Sequence, residues 1–379
     1  MAKKIFALIT VFALVLSLSA CTHIFRKEHL YVTKYTDAPG SFDNETISVS
    51  NYAKLKSSVK QMIADHRAEA KFIFSGYDSD LQSDLSQLGW DIKSEDALAA
   101  FCVDYISYNL NPIVTYYEAP IHITYKRTAE EVSSIVPVAG LTGFRKEISE
   151  ALSGCKTELV VQWVSRNLAE DDVVKAIMDV YYSDSSACVV SPDPKVTVYN
   201  SATLHNIVEI EMCYGYTDAE LQTMKAKLAQ KINKLASSLP NDKTEDFVRE
   251  TYNAVTRVCE YDPDGRIRAS DPKLTAALGS TAYGALTEGC ADSLGMALAF
   301  CALCKAAGVK CSVVHGSYNQ SEHWWNIVAA GDSYLHTDVT GYHSIGLDAS
   351  CLRNDAQMQA SGYQWETANY PHFVPPAEN

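Results

Sequence analysis

Between Asp292 and Gly308 the chain reads Ser-Leu-Gly-Met-Ala-Leu-Ala-Phe-Cys-Ala-Leu-Cys-Lys-Ala-Ala, with Lys305 its only charge. A helix that is apolar on every side has no face to offer water, so it must be buried and the rest of its domain must be built around it. Asp292 and Ser293 open this helix and Gly308 stops it. Its N-terminus therefore leaves the core with free amide groups and the positive end of the helix dipole. A nucleophile or an anionic intermediate is stabilised at such a place.

After the stop, three strands are predicted: Val309 to His315, His323 to Ala329 and Tyr334 to Thr340, the last two joined by a tight turn at Gly331-Asp332. A hairpin closing symmetrically about that turn sets Trp325 opposite Asp338. His323, two residues away on the same face, is then their diagonal neighbour. A buried aspartate that orients an imidazole is the base-plus-orienter half of a catalytic triad. Spacing alone also allows a surface His/Asp pair with no chemistry.

On these residues the C-terminal third resembles the transglutaminase-like superfamily of papain-type folds. His323-Trp324-Trp325-Asn326-Ile327-Val328 is similar to the family's H-x-W-N-x-V strand, and Leu335-His336-Thr337-Asp338-Val339-Thr340 to its H-x-D-V-T strand. Tyr283-Gly284-Ala285-Leu286-Thr287-Glu288-Gly289 resembles its approach to the nucleophile helix, and Asn354-Asp355, Met358, Trp365 and Tyr370-Pro371 resemble the tail of bacterial lipoprotein members. The resemblance implies an α+β protein. Its transglutaminase-like (papain-type) domain, residues 241–379, has the buried central helix packed on an antiparallel sheet. No cofactor is implied.

The family places a cysteine at the start of the buried helix. Laid on this chain without gaps, Gly289, Gly295, Ala297, Phe300, Leu303, Cys304 and Gly308 fall into register, and the nucleophile position is Ser293. Cys290 stands three residues too early. A gapped alignment keeps Cys290 as the nucleophile but shifts the helix by nearly one turn and misplaces Gly295 and Phe300. A thiol of pKa about 8.5 becomes a thiolate readily beside a histidine, whereas a serine hydroxyl needs its proton removed in the transition state. The expectation is a degenerate domain that keeps the His323/Asp338 pair, has lost cysteine chemistry, and binds a protein, peptide or cell-wall (glycan) ligand. The alternative is an active hydrolase, a protease or amidase, using Cys290 or Ser293.

At the other end, Lys3 and Lys4 precede an apolar run from Ile5 to Leu18, too short for a comfortable membrane span. The sequence Leu18-Ser19-Ala20-Cys21 resembles a bacterial lipobox, in which Cys21 is acylated and becomes the first mature residue. The expectation is a signal peptide over residues 1–20, a lipidated tether over 21–45, and a membrane-anchored lipoprotein of the bacterial cell envelope. The 46 acids exceed the 32 bases, and the leader carries two of those bases and no acid. Such a chain lacks the positive field that nucleic acid requires.

Ten cysteines remain besides Cys21. Most sit in apolar runs, where a free cysteine is a small core residue. Cys301 and Cys304 spell C-x-x-C, but with no second pair or histidine at zinc spacing, so no metal site is expected.

Between tether and C-terminal third, two α+β modules are predicted, residues 46–140 and 141–240, the second a weak repeat of the first. Module one comprises a helix from Tyr52 to Arg67, a strand at Lys71 to Phe74, a helix at Asp96 to Tyr105 and a β segment from Ile113 to Tyr125. The modules' matching signals are Tyr125 to Glu130 and Tyr214 to Ala219, each closing a strand and opening a helix capped by Thr128 or Thr217.

Overall fold

In the computed structural model the described residues are 46–371, apart from 167, 185–188, 272, 275, 332 and 344. The expected leader, Cys21 and the tether lie outside them, as does Cys188.

The chain begins with β1 (Thr46–Val49), α1 (Tyr52–Ala64), β2 (Glu69–Phe74), α2 (Leu81–Glu95), α3 (Ala97–Cys102), β3 (Val103–Tyr108), β4 (Asn111–Ile113) and β5 (Tyr116–Tyr125). The sheet order is β1-β2-β5-β3, with β4 also on β5. The expected helix from Asp96 to Tyr105 is corrected here: it ends at Cys102 and the chain turns into β3. The reason is tertiary, because Ile106 pairs with Ile123 and Tyr108 with Ile121 across β5, which overrides local helical preference. Helix α2 has no counterpart among the expected elements, although its Leu81, Leu85, Leu88 and Ile92 form a buried stripe at helical spacing behind an Asp80 N-cap.

Next come α4 (Ala129–Ser133), β6 (Val136–Val138), α5 (Gly140–Gly154), β7 (Glu158–Val164), α6 (Glu170–Asp184), β8 (Asp193–Tyr199), β9 (His205–Cys213) and α7 (Asp218–Ala236). Strand order is β6-β7-β9-β8. In each sheet the first two strands are parallel and the others antiparallel, so the two sheets have the same order and sense. Thr128 and Thr217 both head helices through capping boxes, with Glu131 and Glu220 returning the bond.

The C-terminal part contains α8 (Glu245–Thr256), β10 (Glu260–Tyr261), α9 (Arg266–Ser270), β11 (Cys290–Ala291), α10 (Ser293–Ala306), β12 (Cys311–Tyr318), β13 (Ser321–Ala330), β14 (Ser333–Thr337), α11 (Leu347–Ser350), β15 (Cys351–Arg353), α12 (Asp355–Ala360) and β16 (Tyr363–Trp365). Its antiparallel sheet runs β15-β14-β13-β12-β16. The whole is mixed α+β. As its composition requires, α10 is buried at every residue from Ser293 to Cys304. Asn326 on β13 ties it to the sheet by donating from Nδ2 to the Ala297 carbonyl at 3.0 Å.

The first sheet and its helices enclose one core, which Ile207 joins. A second core runs without a break from Val138 to Cys351, so the second sheet and the α10 region share their apolar interior. Tyr181 of α6 bridges them, donating to the Ser280 carbonyl at 3.0 Å. A third, smaller cluster of Val314, Trp325, Ile327, Met358 and Tyr363 lies against the sheet face that carries His323.

Candidate active site

The approach to α10 explains its glycines. Gly284 to Glu288 form a turn of π-helix, a geometry frequent at functional sites. A Cβ on Gly284 would lie 2.1 Å from the Leu278 carbonyl oxygen, and Gly289 ends the turn at φ +83°, where only glycine is unstrained. Cys290 and Ala291 then pair in parallel with Glu260 and Tyr261. Asp292 caps α10 by accepting from the Gly295 amide at 3.0 Å, and its other carboxylate oxygen accepts from the Ser280 hydroxyl. A Cβ on Gly295 would meet the Gly279 carbonyl oxygen at 2.3 Å, which is why the helix start sits so close to this loop.

Ser293 occupies the first helical position behind that cap and is buried. Cys290 points elsewhere. Its thiol donates to Asp262 Oδ2 at 3.7 Å, and burial together with the Asp262 charge pushes it up to about 11. Asp262 accepts from the amides of Ile267 and Arg268, both at 3.1 Å. Burial opposes its charge, yet those two bonds, the Arg268 charge and the Cys290 thiol hold its carboxyl below the usual range. A negative neighbour is the opposite of what a reactive thiolate needs.

The hairpin closes in the expected register, Asn326 opposite Thr337 and Ala330 opposite Ser333. The last strand is shorter than expected, ending at Thr337. Val339 to His343 instead form a 3-10 turn, and the Asp338 amide donates to the Ser350 carbonyl at 2.7 Å. Asp338 thus leaves the strand end and turns toward His323. His323 Nε2 and Asp338 Oδ2 are 2.8 Å apart, and both residues are buried.

Asp338 has three further donors arranged about it. Tyr363 donates its hydroxyl to Oδ2 at 2.6 Å, while Thr340 donates its amide and its hydroxyl to Oδ1 at 2.9 and 2.7 Å. Burial works against the charged carboxylate, but the His323 hydrogen bond and charge, with Tyr363 and Thr340, outweigh it and keep the carboxyl below its ordinary range. An ionised Asp338 can only accept, so Nε2 of His323 is the donor in their bond, which leaves Nδ1 as the nitrogen that can offer a lone pair. That arrangement is the one a general base needs.

Aromatic packing fixes the ring. His323 lies 6.2 Å from Trp325 in stacked orientation and 5.8 Å from Tyr318. Gly316 opposite His323 makes room, since a Cβ there would lie 2.7 Å from the Trp325 ring. Trp325 is itself pinned by donating to His336 Nδ1 at 2.9 Å, and His336 Nε2 reaches Asp355 Oδ1 at 3.2 Å. Burial and the charges of Asp338 and Asp292 together push the Tyr261 hydroxyl up to about 12.

The structure joins His323 to Asp338 and directs Cys290 to Asp262. Among the described residues no hydrogen bond joins the Ser293 hydroxyl to His323. Tyr363 and Thr340, which both donate to Asp338, are not among the residues expected at the site. Thr340 could have been found, since it follows Asp338 by two residues, the spacing of a side-chain turn. Tyr363 could not, because it arrives from a separate strand. Among the described residues no group of three or more His, Cys, Asp or Glu side chains is placed to hold a metal ion. No described helix is long and apolar enough to cross a membrane.

Residues 228–339 match the model of the Transglutaminase-like superfamily, beginning inside α7 and ending just past Asp338. The C-terminal part is thus a transglutaminase-like domain. One matching solved structure is described as "Crystal structure of a TGase"; the two share 14% identity at a TM-score of 0.27, over 59% of this chain and 62% of that one. The chain therefore spans less than two thirds of that structure's length. No curated protein matches.

Proposed function

We propose that this chain is a bacterial cell-envelope lipoprotein, acylated at Cys21, whose transglutaminase-like domain is catalytically degenerate and binds peptide or glycan chains. The carrying observation is the division of labour at the start of α10. Ser293 stands behind the Asp292 cap, and the Cys290 thiol is bonded to a carboxylate instead of an imidazole. A site with an oriented base and no thiolate still offers donors, acceptors and aromatic side chains to a ligand.

The intact His323/Asp338 pair favours a second reading, an acyl-transfer hydrolase, protease or amidase, acting through Ser293 or Cys290. Peptide and cell-wall substrates incubated with the purified chain separate the two. Binding without turnover supports the first reading. Turnover abolished by Ser293→Ala or Cys290→Ala overturns it. Incorporation of a palmitate analogue that disappears in Cys21→Ala tests the anchor.

A further inference from the structure

From Tyr105 to Tyr117 the chain carries no charged residue, although 21% of the whole chain is charged. This run builds β3, β4 and the turn into β5. Strands β4 and β5 pair with Ile113 opposite Tyr116, while β2 reaches only as far as Tyr117. The hairpin tip therefore projects beyond the sheet as a two-stranded finger, by about 8 Å at roughly 3.3 Å per residue. Its side chains are unusual for a turn. Val114 is 100% exposed, Ile113 41% and Tyr117 46%, where hairpin turns ordinarily use Gly, Asn or Asp. An aliphatic apex with tyrosines set just behind it has the composition of a segment that enters a membrane interface.

We propose that this tip, centred on Ile113, Val114 and Tyr117, is a lipid-interface contact that seats the protein on its membrane. The occupant follows in part from the anchor proposed above, on which the inference rests. Thr46, the first described residue, lies on β1 of the same sheet, level with Lys71 and Pro120. The tip is about 20 Å farther along the sheet. Residues 21 to 45 number 25, and a chain of that length can reach at most about 85 Å, more than the separation of Thr46 from the tip, so anchor and tip can meet one surface. Charge selects the kind of lipid. Asp78 and Asp80 follow the end of β2 on the same side as the tip, and Lys71 is already paired with Glu118 at 2.8 Å. Zwitterionic headgroups suit that setting and anionic ones do not.

The test uses the chain from residue 21 onward with Cys21→Ser, so that no acyl chain contributes, and phosphatidylcholine vesicles at millimolar lipid. The fraction floating with vesicles is expected to fall at least fivefold in Ile113→Asp/Val114→Asp. It should also fall when phosphatidylglycerol replaces half the lipid. Val114→Trp should bind more tightly and shift its emission to the blue on adding vesicles. An unshifted tryptophan, or equal flotation of parent and Asp variants, overturns the proposal. So does binding confined to a protein surface, with none to protein-free vesicles. A Cys21 that proves unacylated while the tip still floats counts against the anchor alone.

Discussion

His323 Nε2 and Asp338 Oδ2 lie 2.8 Å apart, with both residues buried and Tyr363 closing the second approach to the same carboxylate oxygen at 2.6 Å. A buried carboxylate with all its acceptor sites engaged is held as an anion by its donors, so its stability contribution and its orienting role are one arrangement.

Replacing Asp338 by Asn removes the charge that its donors serve, and should cost about 2–3 kcal/mol at neutral pH. The native carboxyl is held below its ordinary range, whereas in the unfolded chain an aspartate titrates near about 3.9. The contribution is therefore complete above about pH 4 and is lost as pH falls through the lower native value. Urea titrations of both proteins should show a gap that narrows below pH 4. A gap independent of pH between 2 and 7 would contradict an anionic Asp338.

Tyr363→Phe deletes one donor to that buried charge and leaves the ring packed against Trp325, 5.2 Å away. The expected loss is about 1.5–3 kcal/mol, read as a lower denaturation midpoint with unchanged slope. A change under about 0.5 kcal/mol would mean that the hydroxyl is not bonded to Asp338.

Iodoacetamide at pH 7 should leave Cys290 unmodified in the native protein. With its thiol pushed up to about 11, only about one molecule in ten thousand is a thiolate. In Ser293→Cys the new thiol sits at the start of α10 and should alkylate at pH 6 far faster than any native cysteine, by peptide mass spectrometry. Rapid native labelling of Cys290 would revive it as the nucleophile.

Gly295→Ala places a methyl group 2.3 Å from the Gly279 carbonyl oxygen, where backbone on both sides must move. It should destabilise by about 1–3 kcal/mol or more, seen as a lowered melting temperature. The same change at Gly331, where nothing lies within 4 Å but φ is +62°, should cost less, about 1 kcal/mol from backbone strain alone.

The sequence by itself determined what each segment had to do. A run apolar on all sides had to be the central helix, and residues 293 to 304 are buried without exception. A turn at Gly331 fixed the hairpin register and so the diagonal meeting of His323 with Asp338, since side-chain alternation leaves no freedom once the turn is set. Thr128 and Thr217 were legible as caps because capping is local. Tertiary structure alone decided the rest. Residues after Cys102 became a strand because β5 was there to pair with them, and the last strand ended at Thr337 where Val339 to His343 take up a 3-10 turn. Asp262 lies 28 residues before Cys290 and Tyr363 lies 25 after Asp338. No local pattern encodes such pairs, because only packing brings distant donors to a buried charge. The thiol beside the site was visible in the sequence, but the carboxylate that quiets it was visible only in the fold.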